Sequence, residues 1–449
     1  METKEHLFSN RDLRLLLVPV IIEQILASLM GTADTMMVSN VGSAAISAVS
    51  LVDSINVLVI QVFSALAAGG AIICSQYIGQ GDAKNARQSA EQLLLVTGVI
   101  SILLAAICLL FNEPLLKLIF GNVEAAVMEN SMTYFFYTAL SFPFIALYNA
   151  GASVFRAQQN TRLPMVVSVI SNIMNIIGNA ILIFGFQMGV AGAAISTLIS
   201  RIFCAVVILG YLRMPRQEVV VNHYLSIRPS GRRMKTILAV GIPTGVENGM
   251  FQFGKLAIQS TVSTLGTAAI AAQAMTNILE NLNGIAAIGV GIGLMTVVGQ
   301  CIGAGRRDDA VYYIKKLSVI AEVVIVAGCL LVYAAARPVT VIGGMEAESA
   351  RMCLHMMGWI TIVKPIVWVF AFIPAYGMRA AGDVKFSMIL SCASMWIFRV
   401  SLCIFLCRVL GFGPMGVWIG MFTDWTVRGI FYMIRFHRRK WLDHHLIGS

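Results

Sequence analysis

The chain repeats itself at half its own length, so whatever it folds into must be built twice. Residues from Pro19 line up with residues from Pro243, a shift of 224 in a chain of 449 residues. Under that shift Pro19 meets Pro243, Glu23 meets Glu247, Val38-Ser39 meets Val262-Ser263, and Gly42 meets Gly266. Ala44-Ala45-Ile46 meets Ala268-Ala269-Ile270, and Gln76 through Gly81 falls on Gln300 through Gly305 without a gap.

The runs inside each copy are apolar and long. Hydrophobic residues make up 58% of the chain and charged residues 12%, against about 25% charged in a soluble domain. So few charges cannot cover a surface that faces water. In lipid the backbone must satisfy its own hydrogen bonds, which leaves helices or a closed barrel. The runs are continuous rather than alternating, which selects helices. Crossing the hydrocarbon takes about 20 residues, and twelve segments reach that scale. They are 15–38, 45–74, 93–111, 133–155, 163–185 and 190–212, then 237–262, 268–298, 317–336, 356–377, 386–409 and 414–434. The first run is too long for the core of a signal peptide and is expected to be a retained span.

Lysine and arginine orient these spans, because cytoplasmic loops are enriched in both. With the amino terminus inside, 23 of the 32 basic residues, from Lys4 to Lys440, lie in inner segments, and four (Lys117, Arg337, Arg351, Arg408) lie in outer ones. The asymmetry implies twelve spans with both ends cytoplasmic, in the cytoplasmic membrane. It also accounts for the net charge of +10 without nucleic acid as a partner. An even number of spans per copy makes the halves parallel, related by a pseudo-twofold axis along the membrane normal. The expected organisation is an amino-terminal lobe (1–212), a cytoplasmic linker (213–235) and a carboxy-terminal lobe with a basic tail (236–449). The linker holds Pro215, Pro229 and Gly231, and its basic residues suit contact with anionic lipid.

Cofactor chemistry finds little support. The nine cysteines lie almost all inside apolar runs with no CxxC, as small buried hydrophobes do. Cys403 and Cys407 share a helix face but lack further ligands. The six histidines show no metal-ligand spacing within spans, and neither a nucleophile elbow nor a phosphate loop appears. No metal site and no enzymatic activity are expected.

Several segments resemble the multidrug and toxic compound extrusion (MATE) family, in particular a bacterial branch of it. Asp34-Thr35-Met36-Met37-Val38 through Gly42 is similar to that family's first helix. Ile78-Gly79-Gln80-Gly81-Asp82 and Ile302-Gly303-Ala304-Gly305-Arg306 resemble its paired inner loops, and Arg156-Ala157 and Arg379-Ala380-Ala381-Gly382-Asp383 its turns. Gly189-Val190-Ala191-Gly192-Ala193 and Asp424-Trp425-Thr426-Val427-Arg428 add to the likeness, which covers nearly the whole chain. The resemblance implies an all-α fold of two six-helix lobes. It also implies an antiporter, a monomer among membrane lipids, that exports organic cations by alternating access as protons or sodium ions enter. A lipid-linked glycan flippase of the same superfamily is the alternative. No cofactor beyond the coupling ion is implied.

An ionisable group at bilayer depth is costly and marks function by default. A carboxylate suits coupling, because a proton neutralises it and a bound cation competes with that proton. The candidates are Asp34, Glu280, Glu247, Glu23 and Asp53. Asp34 matches the family's first-helix acid, to which the resemblance assigns the coupling ion; otherwise it caps a helix end. Glu23 and Glu247 each follow a proline by four residues, so they either face one cavity or bond the backbone freed there. Glu280 lines the cavity or pairs with Lys255 or another interior base. Asp53 is the repeat equivalent of Asn277. Asp424 and Arg428, at i and i+4, form an internal ion pair, and Lys364 and Arg399 need partners or a cavity. Asn172, Asn175 and Asn179 make a polar strip on the fifth span, and Asn277 and Asn281 share a face of the eighth; these five are candidate cavity residues. The resemblance pairs an Asn at Asn175 with an acid four residues on, yet Asn179 stands there. The sodium-coupled branch uses acids in the tenth helix, and 356–377 has none.

Overall fold

A computed structural model describes residues 5–448, so Lys4, counted above among the inner basic residues, lies outside them. Twelve long helices follow one another: α1 (Asn10–Ser39), α2 (Ser43–Gln80), α3 (Ala83–Leu110), α4 in two pieces (Ala125–Leu140 and Phe142–Ala157), α5 (Arg162–Gly185), α6 (Val190–Leu212), α7 (Gly231–Val262), α8 (Thr267–Gly303), α9 (Arg307–Ile342), α10 (Ala347–Ala380), α11 (Val384–Val409) and α12 (Met415–Arg438). A short helix, Asn112–Phe120, precedes α4.

Among the described residues nine of these helices are long and apolar enough to cross a membrane, or ten when the bent α4 is one span. The other two are α7, with 32 residues, and α12, with 24. Both have the length to cross. They fall short on hydropathy because α7 carries Glu247 and Lys255 and α12 carries Asp424 and Arg428.

The helices outrun the apolar segments that announce them. The span expected at 317–336 sits inside α9, which continues down through Lys315 and Lys316 to Arg307. The span expected at 133–155 is bent by 42° where its two pieces meet. Pro143 stands in the first turn of the second piece, where its missing N–H and fixed φ favour a fresh helix start over continuation. Helix α2 ends on Gly81 at φ 81°, with the Gly81 N–H donated to the Ile78 carbonyl and the Asp82 N–H to the Tyr77 carbonyl, 3.0 Å. A left-handed residue here is what glycine allows at least cost. Asp82 then caps α3 by accepting the Asn85 N–H at 3.0 Å. That backbone hydrogen bond, with a second from the Asn85 side chain, holds the Asp82 carboxyl below the usual carboxylate range.

The duplication is written into the backbone. Phe186 donates to the Ile181 carbonyl at 2.9 Å, and Leu410 to the Phe405 carbonyl at 3.2 Å, each across five residues and 224 apart. Both bonds close π-helical turns at the ends of α5 and α11. The shift is not constant, however. The positive-φ residues Gly121 and Gly344, and Gln159 and Gly382, pair at 223. One residue is therefore gained and lost again, first between Gly81 and Gly121 and then between Gln159 and Ile181.

The chain packs as two compact units, one of residues 26–245 and the other of the residues up to Ile25 together with Val246–Ser449. The division falls inside α1 and α7, whereas counting six spans per half divides the chain in the 213–235 linker. The core of the 26–245 unit includes Val38, Phe63, Phe135, Phe142 and Ile183. That of the other unit includes Ile258, Leu279, Met356, Met395 and Trp418. Within the latter, small residues of α8 set the approach of its neighbours. A Cβ on Gly289 would stand 2.9 Å from the Ile21 Cα of α1, and one on Gly291 2.4 Å from the Tyr376 ring of α10. Helices in lipid associate through such close packing.

Candidate functional site

In the 26–245 unit the polar side chains of five helices converge. Asp34 sits on α1, one and a half turns before its end at Ser39. The Asn179 amide nitrogen of α5 donates to Asp34 Oδ1 through a short hydrogen bond, and Asn175 Nδ2 reaches the same oxygen at 3.5 Å. Asn175 is itself fixed by Ser196 of α6, whose hydroxyl donates to its side-chain oxygen at 3.0 Å. Asp34 is thus bonded across helices and is not merely a cap at a helix end. Asn179 is fully buried, and its Oδ1 has no hydrogen-bond partner among the described residues. Asn172, a turn before Asn175, has a buried Nδ2 likewise without a partner. The strip expected on the fifth span therefore divides, with two members on Asp34 and the third apart.

Asp53 of α2 stands beside this group. The Tyr134 hydroxyl of α4 donates to its Oδ1 at 3.1 Å, and Asn56 Nδ2 approaches at 3.5 Å. Arg201 of α6 donates to the Ser141 hydroxyl at 2.7 Å and lies within electrostatic reach of Asp34, Asp53 and Tyr134. It forms no ion pair with either acid among the described residues. The formal balance of the cluster is two carboxylates against one guanidinium. Arg201 and Tyr134 do not figure among the residues picked from the sequence. The signal for Arg201 was present, since it interrupts the apolar run 190–212 and the same bilayer cost applies to a cation as to an acid. Tyr134 carried none, because a tyrosine near a membrane interface is ordinary.

The other unit holds three further clusters. Glu280 of α8 pairs with Lys364 of α10, Nζ to Oε1 at 2.8 Å. Lys364 Nζ also donates to Asn283 Oδ1 at 2.6 Å and to the Glu280 carbonyl at 3.0 Å. The interior base that holds Glu280 is thus Lys364 and not Lys255. Gly284 makes room for it, since a Cβ there would lie 2.6 Å from Lys364 Nζ. Asn277 and Asn281, on the neighbouring face, are exposed and take no part in this pair; Asn277 instead accepts from Gln273 at 3.3 Å.

Asp424 is fully buried on α12 and answers two guanidiniums. Arg428 Nη2 lies 3.1 Å away, the i,i+4 pair expected from spacing, and Arg399 Nη2 of α11 lies 2.9 Å away. The Ser394 hydroxyl adds a short hydrogen bond. Arg399 is placed by a π-helical turn, Met395–Val400, that interrupts α11. Such turns re-aim side chains and recur at functional sites.

Glu247 of α7 is clamped near the start of α11. Arg379 Nη2 meets its Oε1 at 2.6 Å, the Ser391 hydroxyl donates to the same oxygen at 2.8 Å, and Ser387 reaches Oε2 at 3.4 Å. The Tyr432 and Ser387 hydroxyls close the network at 2.8 Å. Its repeat partner Glu23, on α1, is also buried, at 6% exposure. Glu247 is therefore held in a closed ion pair, whereas among the described residues Asp34 and Asp53 meet only neutral donors within hydrogen-bond distance. Among the described residues no three His, Cys, Asp or Glu stand together as a metal site would require.

The arrangement matches known proteins along its length. The profile of the MatE family matches twice, over residues 19–181 and 243–405, at the shift read from the sequence. The chain is 26% identical over 445 residues to the probable multidrug resistance protein NorM of Thermotoga maritima, covering 96% of this chain and 93% of that one. It is 26% identical over 437 residues to the uncharacterized transporter YisQ of Bacillus subtilis, covering 95% and 93%. Among solved structures, one described as MATE in the straight conformation superposes with a TM-score of 0.88 at 19% identity, covering 96% of this chain and 98% of the other. That likeness gives the fold, an all-α bundle of twelve helices in two lobes. Matched in both copies and at nearly full length, the chain belongs to the MATE family of membrane transporters, which move solutes across the bilayer and are not enzymes.

Proposed function

We propose that the protein is a secondary antiporter that exports drug-like organic cations across the cytoplasmic membrane in exchange for an inward ion, with Asp34 as the coupling acid. It works by alternating access as a monomer among membrane lipids, with both termini cytoplasmic, and needs no cofactor beyond that ion. The names of the NorM relatives support the cargo class. The observation that carries the coupling role is the environment of Asp34: part-buried, without a paired cation among the described residues, and held by two amides.

Those amides suit a proton. When Asp34 is ionised, Asn175 and Asn179 donate to it. When it is neutral, its O–H needs an acceptor, and Asn179 Oδ1 stands unused on the same side chain. A flip of the Asn179 amide turns that oxygen toward the carboxyl, so either protonation state has a bonded partner. Asp53 stands beside Asp34, and Arg201 lies within electrostatic reach of both. An organic cation is attracted to the ionised form and competes with the proton. Coupling then arises because each ligand favours a different state. Asn179 departs from the acid of the proton-coupled branch, so the preference for protons rests on the amide pair around Asp34 and on the lack of acids over 356–377, where the sodium-coupled branch carries them.

The test is efflux of a fluorescent cation from vesicles holding purified protein, with proton and sodium gradients imposed separately. Wild type is expected to follow the proton gradient. Asp34→Asn, which keeps the shape and removes the charge, is expected to lower gradient-driven efflux at least about tenfold, the scale of one charge-assisted contact or more. Efflux by Asp34→Asn at the wild-type rate overturns the assignment.

A further inference from the structure

The two copies of the repeat have diverged in charge. At repeat-equivalent positions Asn175 answers to Arg399, Asn56 to Glu280 and Ser200 to Asp424. The 26–245 unit carries Asp34 and Asp53 against Arg201. The other unit carries Lys255, Lys364, Arg379, Arg399 and Arg428 against Glu23, Glu247, Glu280, Glu322 and Asp424, so its charges balance in number but not in place. Glu280 is taken by Lys364 at 2.8 Å and Asp424 by Arg399 at 2.9 Å and Arg428 at 3.1 Å. Lys255 has no carboxylate within ion-pair distance among the described residues. Its Nζ lies 4.7 Å from the centroid of the Phe251 ring, and the Arg399 guanidinium lies 5.2 Å from the same centroid. Lys255 is exposed on α7. Arg399 is 2% exposed, and its Nε is buried without an acceptor.

Two cations drawn to one aromatic ring, one with an unused donor and the other without a counter-ion, repel each other unless a negative charge joins them. A cation inside a membrane helix without a paired carboxylate is costly and is a candidate for a ligand that answers it. We propose that Lys255, with Arg399 behind it, forms a subsite for the anionic group of a small amphipathic substrate, a carboxylate or phosphate. The ligand would then carry a carboxylate or phosphate on an otherwise apolar or cationic body. Calling that ligand cargo rests on the efflux reading above; the subsite itself does not. Lys255 contacts the anion, and Arg399, engaged with Asp424, supplies field and one free N–H.

A matched pair of dyes tests this. Tetramethylrhodamine methyl ester is a cation, and tetramethylrhodamine with its carboxylate free is a zwitterion of nearly the same shape. Fluorescence anisotropy gives the affinity of each for the purified full-length protein in neutral detergent. Wild type is expected to favour the free acid. In Lys255→Gln the ratio of the two affinities is expected to fall about tenfold, about 1.4 kcal/mol, and in Lys255→Arg to persist. Equal binding of the two dyes by wild type, or an unchanged ratio in Lys255→Gln, overturns the proposal. Lipid phosphate is the other source of an anion. Lys255-dependent capture of phosphatidylglycerol in phosphatidylcholine nanodiscs, with no preference for the free acid, also overturns it. Efflux of the ester from vesicles separates the two readings. Ester moved without a free-acid preference leaves transport and removes the subsite; a free-acid preference with neither dye moved does the reverse.

Discussion

A charge inside a membrane helix keeps its place only when something answers it, and Lys364 shows how completely. It is 1% exposed and spends its three donors on the Glu280 carboxylate, the Glu280 carbonyl and Asn283. Removing one member of a buried pair strands the other at a cost of about 3–5 kcal/mol. Lys364→Met is therefore expected to lower the midpoint of thermal unfolding in detergent sharply, and Lys364→Met with Glu280→Gln to recover most of the loss. A single variant as stable as wild type would show that Glu280 finds water instead. That intramembrane charges are present was legible in the sequence, and so was the Asp424–Arg428 pair, because i,i+4 spacing fixes geometry within one helix. The other pairings were not. Glu280 to Lys364 and Glu247 to Arg379 join residues 84 and 132 apart, and no local rule connects them. The role of Asp34 was suggested by resemblance; its bond to Asn179 needed the register of α1 against α5.

At the scale of the helix, length was the least legible property. Apolar runs marked where lipid begins and ends, but α2 and α8 run to 38 and 37 residues because a helix does not stop where hydropathy does. Their ends lie where the chain chemistry breaks, as at Gly81 and Asp82. The glycines of α8 take their meaning from the partners that the structure supplies. Gly289 faces the backbone of Ile21, which cannot move aside as a side chain end can. Gly289→Ala is expected to cost about 1–3 kcal/mol of stability, the range for overpacking, read as a drop in unfolding temperature. Unaltered stability would mean that α1 shifts freely. The π-helical turns of α5 and α11 had no sequence signal, since an extra residue per turn leaves no mark in composition. Yet they recur in both copies, close to Asn179 and Arg399.

For the molecule as a whole, the duplication and the basic-residue asymmetry together gave the span count, and the double match to one family agrees with it. The orientation proposed from the same asymmetry is checked by fusions. A green fluorescent protein at the carboxyl end is expected to fluoresce and an alkaline phosphatase there to be inactive; the reverse would turn the molecule over. The fold also imposes an order on its own making. Because the division between compact units runs through α1 and α7, the stretch of chain ending at Ile25, made before the 26–245 unit, packs with segments made after Val246. It must wait in the bilayer, partnerless, while more than two hundred residues are synthesised, and the earlier unit closes only when the opening turns of α7 arrive. Cutting the gene at the polar linker would therefore yield two fragments that each lack a piece of their own core, so that duplication of the sequence has not left two independently foldable proteins.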